Sequence, residues 1–161
     1  MAGDLEVVAV AAVAENGVIG DGPTLPWDLP HEVRQYRTRV AEETVAIGRR
    51  TFEMFDDPPG AHRIVLSRST RSSPDPTVTY VSSVEAAIAT ARERNTGTLF
   101  VLGGAAIYRA FLDRCDRLLI SRIHGSYEGD ATFPEIDETV WTLVRETPQE
   151  GYTLETYCRD N

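Results

Sequence analysis

The chain has 161 residues, of which 42% are hydrophobic and 25% charged; this is the balance of one globular domain with its own core and not of a disordered or fibrous chain. Its 25 acidic residues outnumber its 16 basic ones, for a net charge of −9, which opposes the attraction to backbone phosphates that nucleic-acid binders depend on. The longest apolar run, Val7 to Ala14, falls well short of the roughly 20 residues of a membrane span, and the acidic start at Asp4 and Glu6 is unlike a secretory signal, so a cytoplasmic protein is expected.

Leu5 to Ala14 is rich in Val and almost continuously apolar, the pattern of a strand buried on both faces. Glu15 to Pro30 carries Gly17, Gly20, Gly22, Pro23 and Pro26 without periodicity and reads as a loop longer than structural connections usually are, a length that often marks function. Val33, Tyr36 and Val40 have the spacing of one helix face, which predicts a short amphipathic helix over 31–40. A strand over 44–48, a short helix over 49–55, a turn at Asp56 to Gly60 and a strand over 63–67 follow. A further strand over 77–81 leads to Ser82, with Glu85 three residues on, a capping box for a helix whose inner face is Val84, Ala87, Ile88 and Ala91. After a strand over 98–102, Gly103 and Gly104 open a helix over 105–112, and strands are expected at 117–123, 139–146 and 152–158. Strands alternating with helices imply an α/β fold in a single domain. It has a mainly parallel central sheet of about eight strands with an antiparallel C-terminal edge, flanked by four helices.

Three segments carry residues suited to chemistry. Glu32 and Tyr36 are i, i+4 neighbours and offer an acid and an aromatic ring to one space, suited to a flat heterocycle with adjacent N–H donors; spacing alone favours the plainer reading, in which Glu32 serves the helix dipole and Tyr36 belongs to the core. Gly48-Arg49-Arg50-Thr51 runs from strand to helix and Ser67-Arg68 ends the next strand, a collection of guanidinium, hydroxyl and amide donors that fits a phosphate. Any one of these arginines could instead be part of a solvated face. Gly103-Gly104 removes two Cβ atoms at a strand–helix turn, where backbone can approach an anion, although such a pair is often only a tight connection. Cys115 and Cys158 are far apart, and His31, His62 and His124 show no ligand spacing, so no metal is expected.

In order along the chain, Ala11-Ala12, Gly17-Val18-Ile19-Gly20, Leu25-Pro26-Trp27, Glu32, Gly48-Arg49-Arg50-Thr51, Leu66-Ser67, Gly103-Gly104-Ala105, Tyr108, Glu128-Gly129-Asp130 and Phe133-Pro134 resemble the dihydrofolate reductase family over nearly the whole length. The resemblance implies reduction of 7,8-dihydrofolate by NADPH, with hydride delivered to C6 and a proton to N5. It makes Glu32 the acid that binds the pterin, supported by Ser121 through water, with Trp27 and Tyr108 completing the catalytic set. Ala12, Val33, Tyr36 and Phe55 would line the folate pocket. The cofactor would be held by Ala11, Ile19, Gly20, Gly48, Arg49, Arg50, Thr51, Ser67 and Arg68, and by the run Leu102, Gly103, Gly104, Ala105, Ala106, Ile107 and Tyr108. The family joins the two glycines by a cis peptide. Residues 14–30 would be the loop that closes over the nicotinamide, held by Asp130. Antifolates such as methotrexate are expected to bind, and a monomer is expected.

Ala61 follows Pro59-Gly60 where the family usually places the arginine that grips the substrate's α-carboxylate; Arg37, His62 and Arg63 are the nearby cations. Leu25 stands where the loop often has methionine. Two other readings remain: the riboflavin-pathway NADPH reductase of the same fold, opposed by Trp27 with Glu32, and a cofactor-binding module without activity. Every base is Arg and none is Lys. With the acidic excess, this resembles cytoplasmic proteins of salt-accumulating microbes, since molar salt shortens the Debye length to roughly 3 Å and screens carboxylate repulsion.

Overall fold

The structure, a computed structural model, describes residues 4–20, 25–69, 71–94 and 96–160. The elements run β1 (Glu6–Ala14), α1 (Pro30–Val40), β2 (Thr44–Gly48), α2 (Arg49–Glu53), β3 (His62–Leu66), β4 (Val78–Val81), α3 (Val84–Glu93), β5 (Thr98–Val101), α4 (Ala105–Phe111), β6 (Arg117–Ile123), β7 (Trp141–Pro148) and β8 (Tyr152–Arg159), with a 3-10 turn at Leu112–Arg114. One eight-stranded sheet has the order β4-β3-β2-β5-β1-β6-β8-β7. β1 through β6 pair in parallel and β8 and β7 close the edge antiparallel, as the alternation of strands and helices predicts.

The pleat of β1 divides the core. Val7, Ala9, Ala11 and Val13 pack with Ala87, Ile88 and Ala91 of α3 and Tyr108 and Phe111 of α4, while Val8 and Val10 turn to the other face and pack with Val40 and Tyr36 of α1. Period-2 alternation therefore supplies both layers of the core from one strand, and an unbroken apolar run is what two covered faces require. Ala14, Val18, Trp27, Ile123 and Tyr152 form a third cluster.

Several expectations need correction. The cap of α3 is Ser83, whose hydroxyl accepts from Ala86 N at 3.0 Å, so the helix starts one residue later than the Ser82/Glu85 pairing implies. α2 ends at Glu53 and not Phe55, and β7 begins at Trp141, because Asp137 binds the amide and hydroxyl of Thr139 in a turn. The long loop has structure of its own: Val18 bridges to Thr132 and Ile19 to Val13. Residues 21–24, within the expected closing loop, lie outside the described residues.

Candidate active site

The site lies at the carboxyl ends of the parallel strands, where an open α/β sheet leaves its crevice. Two crossovers create the opening. The chain leaves β1 through α1 and returns as β2, two positions away, and β5 fills the gap before α4 carries the chain across to β6, on the far side of β1.

On the α1 side is a cleft of about 350 Å³, lined by Val10, Ala11, Ala12, Gly20, Leu25, Glu32, Val33, Tyr36, Arg37, Ile47, Thr51, Phe55, Asp57, Pro59, Leu102 and Tyr108. Its lining is mostly apolar or aromatic; among the described residues Glu32, Arg37 and Asp57 are its charged groups and Thr51 adds a hydroxyl. Pro30 stands in the first turn of α1, and no side chain caps that end. Glu32 turns inward and is only 3% exposed. Gln35 Nε2 donates to Glu32 Oε2 and to Ser121 Oγ, both at 3.3 Å. Burial pushes the Glu32 carboxyl above its ordinary value, while hydrogen bonds from Ser121 and Gln35 and the charges of His31 and Arg39 pull it back. A carboxylate serving only the helix dipole would ordinarily sit in water, whereas this one is buried against the cleft.

Arg37 defines the opposite end. Its Nη2 donates to the Asp57 carbonyl at 2.5 Å and lies 3.6 Å from the Asp57 carboxylate, and its guanidinium is 5.8 Å from the Phe55 ring centre. The other two candidate cations are committed elsewhere. Arg63 donates to the carbonyls of Pro58 and Pro59 and to Thr77, and His62 is buried with Nε2 against Thr79 Oγ1. Burial, with Arg94 and Arg63, lowers the His62 pKa and disfavours its cationic form.

A second cleft, of about 800 Å³, meets the first at Thr51 and is lined by Gly48, Arg49, Arg50, Thr51, Leu66, Ser67, Arg68, Ser69, Ser82, Gly104, Ala105, Ala106 and Ile107. Three arginines and three serines line it and, among the described residues, no carboxylate does, a donor set that fits a phosphate group. Arg49 is balanced by Glu53 at 2.8 Å, and Glu53 also lies 3.8 Å from Arg71. The floor between the clefts is backbone packed on backbone. Gly48 N donates to Gly103 O at 2.8 Å, and the peptide joining Gly103 to Gly104 is cis. Gly103 has φ +105°, and a Cβ there would lie 2.9 Å from the Tyr108 ring, so this position needs glycine twice over. The Tyr108 hydroxyl donates to Val10 O at 2.7 Å, which pins the ring on the wall of the first cleft.

Most expected site residues therefore converge. Ala11, Ala12, Gly20, Glu32, Val33, Tyr36, Phe55, Leu102 and Tyr108 line the first cleft, and Gly48, Arg49, Arg50, Ser67, Arg68, Gly104, Ala105, Ala106 and Ile107 the second. Ile19, Trp27, Ser121 and Gly103 line neither. Trp27 packs edge-on against Tyr127 with ring centres 5.4 Å apart, and its buried indole N–H has no hydrogen-bond partner among the described residues. The long loop is held by backbone bonds, Ile19 N to Ala131 O and Phe133 N to Gly17 O, each 3.0 Å; among the described residues the Asp130 carboxylate makes no hydrogen bond. Sequence reasoning missed Gln35. Its position three residues after Glu32 is a helical neighbour spacing and was the available signal.

Comparison with known proteins places the chain in a family. The dihydrofolate reductase family model matches residues 6–158. The chain is 36% identical to "Dihydrofolate reductase 1" of Haloarcula marismortui, covering 96% of this chain and 91% of that protein. It is 35% identical to "Dihydrofolate reductase HdrB" of Haloferax volcanii, over 94% of this chain and 82% of the relative. Among solved structures, dihydrofolate reductase from Enterococcus faecalis complexed with NADP(H) and RAB-propyl matches with a TM-score of 0.82 and 31% identity over 97% of both chains.

Proposed function

Since this chain belongs to the dihydrofolate reductase family and is an NADPH-dependent reductase of 7,8-dihydrofolate, we propose that Glu32 binds and polarises the pterin, and that Arg37 grips the carboxylate at the other end of the substrate. The observation that carries this reading is the 3%-exposed carboxylate on a largely apolar cleft that shares Thr51 with a second cleft lined, among the described residues, by three arginines and no carboxylate.

Bound NADPH supplies the hydride. The protein's part is orientation, exclusion of water and charge. Arg49, Arg50 and Arg68, with Ser67, hold the 2′-phosphate of the adenosine, which favours NADPH over NADH. Gly103 and Gly104 would let backbone approach the cofactor, and Ala11, Leu102 and Tyr108 would form a wall for its nicotinamide. Ala105, Ala106 and Ile107 continue that wall. The pterin lies along Ala12, Val33, Tyr36 and Phe55 with its N–H edge toward Glu32. An ionised carboxylate in this desolvated pocket stabilises the protonated, cationic pterin and so lowers the barrier to hydride arrival at C6, while water brings the proton to N5. Ser121 and Gln35 keep the carboxylate in place. Ile19 and Gly20 belong to the covering loop, which Trp27 anchors.

Ala61 has no charge, and of Arg37, His62 and Arg63 only Arg37 lines the cleft; it already pairs with Asp57 and is the cation available to the substrate's carboxylate. One chain supplies both clefts, which supports a single-domain monomer, and a cytoplasmic place of action follows from its substrates. The acidic surface argues against a nucleic-acid partner.

Loss of NADPH absorbance on adding dihydrofolate, in dilute buffer and in molar KCl with methotrexate as control, is the test. Methotrexate-sensitive oxidation supports the assignment. Folded protein that oxidises no NADPH in either buffer overturns it and leaves the riboflavin-type reductase or a binding module.

A further inference from the structure

A third cleft, of about 330 Å³, lies outside this machinery and is lined by Arg39, Phe100, Arg117, Leu119, Arg145, Thr147, Leu154 and Thr156. Three of the chain's 16 bases line it and, among the described residues, no acid does. In a protein with a net charge of −9, such a concentration is not an average surface.

Strand register explains how the arginines meet. Thr156 of β8 pairs with Leu119 of β6 on one side and Arg145 of β7 on the other. Leu143 pairs with Tyr157 before the register shifts. Regular pairing would set Val144 opposite Thr156; the bulge skips Val144 and brings Arg145 into that place, the re-aiming of one side chain that bulges accomplish. Arg39, at the end of α1, completes the group from above the sheet. Its Nη1 is buried and has no hydrogen-bond partner among the described residues. Arg117 is held by Glu6 through two bonds of 2.8 and 2.9 Å, which fixes its guanidinium without filling the cleft. Burial and the neighbouring Arg117 oppose the charge on Arg39 while Tyr152 and Glu32 favour it, and a buried guanidinium nitrogen lacking an acceptor is costly unless an anion supplies one.

We propose that this cleft is a binding site for a phosphate-class oxyanion, gripped by Arg39 and Arg145 and bounded by Arg117 and the hydroxyls of Thr147 and Thr156. A tetrahedral dianion offers enough acceptors for converging guanidinium forks, which a single halide does not. The site is separate from the phosphate cleft of the cofactor, which is built from Arg49, Arg50 and Arg68.

The experiment is calorimetric titration of inorganic phosphate into the NADPH-saturated protein at constant ionic strength, with acetate and chloride titrated in parallel. Saturating NADPH keeps phosphate out of the Arg49 cleft. The expected result is one phosphate per chain, at least tenfold weaker binding in Arg39→Gln and in Arg145→Gln, and unchanged dihydrofolate turnover in Arg145→Gln. Arg145 lies on the exposed edge strand, so its replacement leaves the core intact even if Arg39→Gln folds poorly. Absence of saturable phosphate binding, equal binding in Arg145→Gln, or acetate or chloride competing at equal concentration would each overturn the site. NADPH affinity, read in the same samples, reports on the reductase site and keeps failure of the two assignments distinguishable.

Discussion

Glu32 sets the chemistry through one competition, burial against hydrogen bonding. Desolvation raises its carboxyl above the ordinary value of 4.5 despite Ser121 and Gln35. The folded protein therefore holds that proton more tightly than the unfolded chain. The stability this gives is complete below the unfolded value and is lost as pH rises through the folded one, so at neutral pH the ionised group burdens the fold. Glu32→Gln is expected to raise the melting temperature at pH 7 while lowering turnover by about 10²–10³. Its residual rate should climb as pH falls, because protonation of the pterin then depends on solvent alone. A stopped-flow pH profile beside a melting curve checks both, and NADPH affinity should not change. At the other end of the cleft, Arg37→Gln is expected to raise the KM for dihydrofolate several-fold with kcat held, since a partly exposed ion pair contributes about 1 kcal/mol or less. The same substitution should leave a substrate lacking the glutamate unaffected.

The elements matter through their ends, where single residues decide geometry. Ser83 and not Ser82 caps α3, so Ser83→Ala should cost about 1 kcal/mol, near 3 °C of melting temperature for a chain of this size. Ser82→Ala should cost under about 0.5 kcal/mol, and thermal melts of the pair distinguish the two assignments. Both serines precede the apolar face of α3, and sequence spacing alone favoured the one with Glu85 at the capping-box distance. Which of them caps depends on where β4 ends at Val81. At the β5–α4 junction, Gly103→Ala should destabilise the protein by about 2 kcal/mol or more and weaken NADPH binding. A Cβ at φ +105° meets the Tyr108 ring at 2.9 Å, and backbone strain of that kind costs on the order of 1–3 kcal/mol before any clash. Chemical denaturation with a parallel cofactor titration would measure both effects.

At the scale of the whole molecule, charge dominates. Nine acids lack a matching base, and their mutual repulsion acts over the entire surface. Added salt also screens the surface ion pairs. Pairs such as Arg49–Glu53 and Arg114–Glu85 are exposed and contribute only about 0–1 kcal/mol each, so relief of repulsion outweighs their loss. The melting temperature is expected to rise from dilute buffer to molar KCl. A flat or falling curve in a salt series would refute the salt-adapted reading, which the matches in Haloarcula and Haloferax favour.

The sequence by itself determined the layers and the kinds of chemistry available. Period-2 and period-3.6 patterns and glycine positions are local, so β1, α1, the eight-stranded order of elements and the residue types at strand ends could be read directly. Convergence was another matter. That Gln35 bridges Glu32 and Ser121, that Arg37 and not His62 or Arg63 lines the cleft, and that a bulge in β7 puts Arg145 on the same cleft as Arg39 all depend on strand register and on competing partners distant in sequence. The tertiary structure decided these, because burial and hydrogen-bond competition are set by which distant groups the sheet brings together.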